Sequence, residues 1–123
     1  MPPKKIDIVD GRTALAAVRA ADASGEKPQR ADLATAVRYL LQLLEEKAPG
    51  NSVEVRVPPF GAVQVIQGPR HTRGTPPNVV EMDATTWIAV ATGTEEWADA
   101  AASGRVHASG TRADLAGVLP LRP

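Results

Sequence analysis

Between residues 31 and 57 the hydrophobic period of the chain changes from three or four residues to two, and that switch restricts the fold more than any other feature. In the first half, Leu33, Val37, Leu40, Leu41 and Leu44 recur at helical spacing, while Arg38, Gln42, Glu45 and Glu46 fall on other faces. Residues so spaced form one apolar stripe along a helix. A helix is therefore predicted over 31–48, with its stripe in the core. Pro49, Gly50 and Asn51 stop it, because Gly and Pro punctuate helices. Residues 52–57 then alternate apolar and polar, as a half-buried strand does. Pro58, Pro59, Phe60 and Gly61 turn the chain, and 62–67 read as a second strand antiparallel to the first. A helix followed at once by strands calls for a helical layer packed on a sheet.

The remaining segments fit that plan. Residues 1–9 read as an irregular arm, and Asp10 caps a helix to residue 23 on Leu15, Val18 and Ala21. After the loop at 68–78, a short strand is expected at 79–82. Asp83 is the N-cap of a helix to about residue 91, with Trp87, Ile88 and Ala91 on one face. Gly93 ends it. Thr94 caps a further short helix with Glu95 and Glu96 in its first turn, where the helix dipole favours negative charge. Residues 105–109 form a last strand, and Thr111 caps a last helix over 112–118. The class is α+β, with one domain over 10–119 and a tail at 120–123. A chain of 123 residues can enclose one core without staples.

Composition removes several functions. Fourteen basic residues balance fourteen acidic ones, so no long-range field draws the chain to nucleic acid or anionic membrane. Cysteine is absent, which excludes disulfides, thiolate catalysis and Cys-built zinc sites. His71 and His107 are the only histidines, too few and too far apart in sequence for a metal site, and no cofactor is expected. No apolar run reaches the ~18 residues of a membrane span. The start of the chain lacks the apolar stretch of a signal peptide. A cytoplasmic location is expected.

No catalytic constellation emerges, so an enzyme is not expected. Ser109 and His107 share one short strand without an orienting carboxylate. The pairs Glu45–Glu46 and Glu95–Glu96 read as solvated helix ends. The 68–78 loop carries Arg70, His71 and Arg73, which can hold an anion or head group, stay wet in a connecting loop, or touch a protein partner. It is not a phosphate-binding P-loop, which needs Lys followed by Ser or Thr. Trp87 and Trp97 are two of only four aromatics, beside Tyr39 and Phe60. They serve either as packing anchors or as the lining of an apolar cavity.

One further pattern lies in the last forty residues. Val80-Glu81-Met82-Asp83-Ala84-Thr85-Thr86-Trp87 leads to Thr92-Gly93. Glu96-Trp97-Ala98-Asp99-Ala100, Ser103-Gly104-Arg105-Val106 and Ser109-Gly110-Thr111-Arg112-Ala113-Asp114-Leu115 follow. This succession resembles the bacterial branch of the sterol carrier protein 2 family over about residues 30–119, most closely at 79–115. The resemblance implies a mostly antiparallel five-stranded sheet covered on one face by helices. It also implies a non-enzymatic domain that binds or transfers a lipid or other apolar molecule between sheet and helices. Val65, Trp87, Ile88, Trp97, Leu115 and Leu119 would line that cavity, with Arg70, His71 or Arg73 at its mouth. The alternative is a protein-interaction module without a cavity, using the 68–78 loop as its contact.

Overall fold

The computed structural model describes residues 5–68 and 78–123. The order is α1 (Ile8–Ala23), α2 (Arg30–Lys47), β1 (Val53–Val57), β2 (Gly61–Val65), β3 (Asn78–Glu81), α3 (Ala84–Thr92), α4 (Trp97–Ala102) and β4 (His107–Ser109). The stripe on α2 packs as its spacing requires: Val37, Leu40, Leu41 and Leu44 are buried, together with Ala36 and Tyr39. Helix α1 starts ahead of the expected Asp10 cap. Asp7 occupies the N-cap position, and its carbonyl accepts from Gly11 N–H at 2.8 Å, which places Asp10 in the first turn. Gly11 lies against the Tyr39 ring of α2, so close that a Cβ there would stand 2.3 Å from the ring's Cγ. The two helices thus meet across a glycine.

The described residues form one four-stranded sheet in the order β2-β1-β3-β4. β1 pairs antiparallel with β2, but β1 and β3 run parallel, and β3 pairs antiparallel with β4. The sheet is therefore mixed, where five mostly antiparallel strands were expected. Period-two alternation reports which face a residue takes and says nothing of strand direction. Here β3 enters beside the start of β1, with Asn78 opposite Val53. Val53, Val55, Val57, Val65 and Val80 line the covered face and are fully buried. Glu54, Arg56, Val79 and Glu81 alternate with them on the other face and are half-buried.

Strand β2 stops at Val65, short of the expected 67. Ile66 takes a left-handed backbone with φ 66°, a costly conformation for a β-branched residue. Its N–H donates to Ala48 O at 2.7 Å, and its carbonyl accepts from Ser52 N at 3.0 Å and Ser52 Oγ at 2.8 Å. Ile66 is thereby tied to the link between α2 and β1 instead of continuing the strand.

The second half of the chain follows its punctuation in part. Asp83 Oδ1 accepts from Thr86 N–H at 2.8 Å as the N-cap of α3, and Gly93 closes that helix in the left-handed region at φ 82°. Helix α4 begins at Trp97 with Glu96 as its N-cap, not at Thr94. Thr94 Oγ1 instead pairs with Thr92 Oγ1 at 3.2 Å. The helix expected over 112–118 does not form, and that stretch is a series of turns. Its backbone bonds are those of turns: Asp114 N–H donates to Arg112 O at 2.9 Å and Val118 N–H to Leu115 O at 3.0 Å, while Lys47 Nζ holds the end of the segment by donating to Val118 O at 2.8 Å and Pro120 O at 3.1 Å. Gly117 and Pro120 also oppose helix continuation. Leu115 and Leu121 anchor the segment in the core, and Leu121 N–H donates to Ala91 O at 2.7 Å.

Candidate functional site

The residues expected around a cavity are brought together, but inside one packed core. Val65, Trp87 and Leu115 are fully buried and Ile88 nearly so, while Trp97 and Leu119 are half-buried against them. Trp87 Nε1 donates to Val37 O at 3.3 Å, which satisfies the one polar atom of the ring. Arg70, His71 and Arg73 lie outside the described residues. His107 is exposed on β4. Among the described residues, no group of three or more His, Cys, Asp or Glu side chains is placed to hold a metal ion.

A cleft with a largely apolar floor lies elsewhere, between α2 and the edge strand β2. Its volume is about 600 Å³. Ile6, Leu41, Phe60, Gly61 and Val63 form the floor and walls, and Arg38, Gln42, Glu45, Glu46 and Lys5 form the rim. Two features of the sequence create it. Gly61 presents no side chain toward α2, where a Cβ would stand 3.4 Å from Leu41 Cδ1 and 3.8 Å from Arg38 Cγ. The Pro58-Pro59-Phe60 turn then sets an aromatic ring at one end.

Polar side chains fix the walls. Arg38 Nε donates to Phe60 O at 2.8 Å and ties α2 to the turn. Gln42 grips the arm before α1: Ile6 N–H donates to Gln42 Oε1, and Gln42 Nε2 donates to Ile6 O, both at 2.9 Å. Lys5 Nζ pairs with Glu46 at 3.0 Å. The guanidinium of Arg30 stacks over the Phe60 ring, 5.2 Å from its centroid. None of these groups stands out in the sequence, where Arg38, Gln42, Glu45 and Glu46 read as the solvated side of a helix. The usable signal was Phe60-Gly61, an aromatic followed by a strand glycine in a chain with few aromatics.

Other hollows are more polar. One of about 660 Å³ lies between the arm, α1 and α2 and carries Asp7, Asp10 and Asp32. Another, about 450 Å³, lies at the β3–β4 edge beside Glu81, His107 and Ser109. Of the paired carboxylates, Glu95 binds the Arg105 guanidinium through both oxygens. That hydrogen bonding, reinforced by the opposite charge, holds the Glu95 carboxyl below its usual range and raises Arg105. The pair is an exposed tie between the approach to α4 and the segment before β4.

No curated protein matches the chain. The family described as bacterial SCP ortholog, sterol-carrier-like proteins for which a lipid-binding or carrier role is suggested, matches residues 29–121. The match starts where α2 begins and takes in the whole sheet, α3, α4 and the C-terminal turns, leaving α1 outside. With most of its length covered, including Leu41 and the Phe60–Val63 side of the cleft, the chain belongs to the bacterial SCP ortholog family.

Proposed function

We propose that this protein binds and carries an apolar or amphiphilic molecule of lipid type, without catalysing a reaction, in the cytoplasm. The observation that carries the reading is the apolar cleft of about 600 Å³ between α2 and β2, in a chain of this family. A volume in this range suits a small ligand. Each ligand methylene buried there contributes ~0.8 kcal/mol. The cleft is open along one side, so a chain lying in it is only partly removed from water. Binding is accordingly reversible, as pick-up and delivery require. In this reading the ligand lies between α2 and β2, and Val65, Trp87 and Leu115 serve as core residues and not as its lining. No helix among the described residues is long and apolar enough to cross a membrane.

A second reading is an accessory module that binds a protein partner and no lipid. The burial of Trp87 and its neighbours in one core cluster supports it. Native mass spectrometry of freshly purified protein, beside an organic extract searched for lipids, separates the two. The carrier reading expects a reproducible adduct that is lost in Gly61→Leu. That substitution fills the cleft beside Leu41 from a strand position with no positive φ. A wild-type protein that is clean by mass and fails to take up added amphiphile supports the module instead.

A further inference from the structure

We infer that the cleft selects amphiphiles with an anionic head group, held at the Phe60 end by Arg30 and Arg38; this rests on the cleft being the ligand site. Two guanidinium groups converge on one residue there. Arg30 covers the Phe60 ring, and Arg38 spends only its Nε, on the Phe60 carbonyl. Among the described residues neither has a carboxylate within ion-pair distance, whereas Lys5, Arg56 and Arg105 each do. The stretches outside the described residues, 1–4 and 69–77, contain no Asp or Glu that could neutralise them. Both arginines are exposed; Arg38 stands on the cleft rim, and Arg30 adjoins that end through the Phe60 ring it covers.

The opposite end has the opposite sign. Glu45 and Glu46 lie on the rim about two turns further along α2 than Arg38, where Lys5 offsets Glu46 alone. From Arg38 to Glu45 the helix rises about 10 Å. Leu41, Gly61 and Val63 lie between these ends and bound the apolar part of the cleft. An anionic head is attracted at the Phe60 end and repelled at the Glu45 end. An acyl chain is thereby oriented with its head at Phe60 and its tail toward Val63. A cationic amphiphile is repelled in that pose and would lie reversed, its head at Glu45, the one rim carboxylate that Lys5 does not offset. A neutral one has no preference between the ends. Planar guanidinium groups suit carboxylate or phosphate oxygens, so either head fits.

The test uses three probes of one chain length: laurate, lauryl alcohol and lauryl trimethylammonium. Their affinities are measured by calorimetry on the full-length protein, with and without added salt, and again on Arg30→Gln, Arg38→Lys and Gly61→Leu. Laurate is expected to bind most tightly. Its advantage over the alcohol should shrink about fivefold in Arg30→Gln, the scale of an exposed ion pair, and shrink again at high salt. Arg38→Lys retains charge but loses the fork, and should lower laurate binding without altering that of the alcohol. Equal, Gly61→Leu-sensitive binding of laurate and alcohol, unchanged in Arg30→Gln, would overturn the head-group inference and leave the cleft standing. Absence of any Gly61→Leu-sensitive binding would overturn both.

Discussion

Asn78 offers a sharp test of how the sheet is held at the end where β3 enters. It is 3% exposed. Its Nδ2 donates to Ser52 O at 2.9 Å, and its Oδ1 accepts from Arg112 N–H at 2.9 Å. One side chain thus joins β3, the residue before β1 and the C-terminal turns. Asn78→Ala removes two hydrogen bonds at ~1 kcal/mol each and leaves the Ser52 carbonyl without its side-chain donor, for a total of about 2–3 kcal/mol. For a domain of this size that lowers Tm by roughly 10 °C. Asn78→Asp separates the two roles, since a carboxylate still accepts from Arg112 but faces the Ser52 carbonyl without a proton to give. Burial and that facing oxygen raise the introduced carboxyl's pKa. A raised folded-state pKa gives stability that is present below the unfolded value, about 3.9, and is lost as pH rises through the folded value. Urea unfolding of both variants from pH 4 to pH 8 is the assay. Asn78→Asp should approach Asn78→Ala or exceed it at the acid end and fall below it at neutral pH. An alanine variant within about 0.5 kcal/mol of wild type, or an aspartate variant that gains on alanine as pH rises, would refute the reasoning.

Three further outcomes are expected. Gly11→Ala gains up to ~1 kcal/mol of helix propensity but drives a methyl into the Tyr39 ring, so a net loss of about 1–2 kcal/mol and faster amide exchange confined to α1 should follow. Asp83→Ala removes the cap on α3 and should cost about 1 kcal/mol in denaturant unfolding, with Asp83→Asn recovering most of it. The Glu95 carboxyl is depressed by Arg105, so its contribution is present above the unfolded pKa and fades as pH falls through the lower folded value. Glu95→Gln should flatten the acid limb of the stability profile slightly, and added salt should do the same to wild type.

The parts of the fold legible in the sequence were those set by local periodicity and caps. The α2 stripe, the change of period before β1, the Asp83 cap and the Gly93 stop each depend on a few neighbouring residues, and each has its expected geometry. What escaped depends on partners distant in the chain. Nothing local distinguishes a parallel β1–β3 pairing from an antiparallel one. The last segment has the caps and leucines of a helix, yet it forms turns, with its end held from across the fold by Lys47 on Val118 O and Pro120 O. The cleft escaped for the same reason. Arg38 and Phe60, Gln42 and Ile6, and Leu41 and Gly61 are each joined only by the packing of α2 against β2 and the arm. Trp87 and Trp97 look alike in the sequence as two scarce aromatics, yet only Trp87 is fully buried, with its Nε1 donating to Val37 O of α2.

The central claim is that a lipid-type ligand occupies the α2–β2 cleft, and an amide chemical-shift titration of the full-length protein with laurate tests it most directly. The account predicts the largest changes at Gly61, Ala62, Val63, Leu41 and Gln42, with the buried Trp87 indole signal nearly still. Changes centred on Trp87, Val65 and Leu115 would place the ligand inside the core and contradict the cleft, and a spectrum that does not respond would contradict the carrier reading itself.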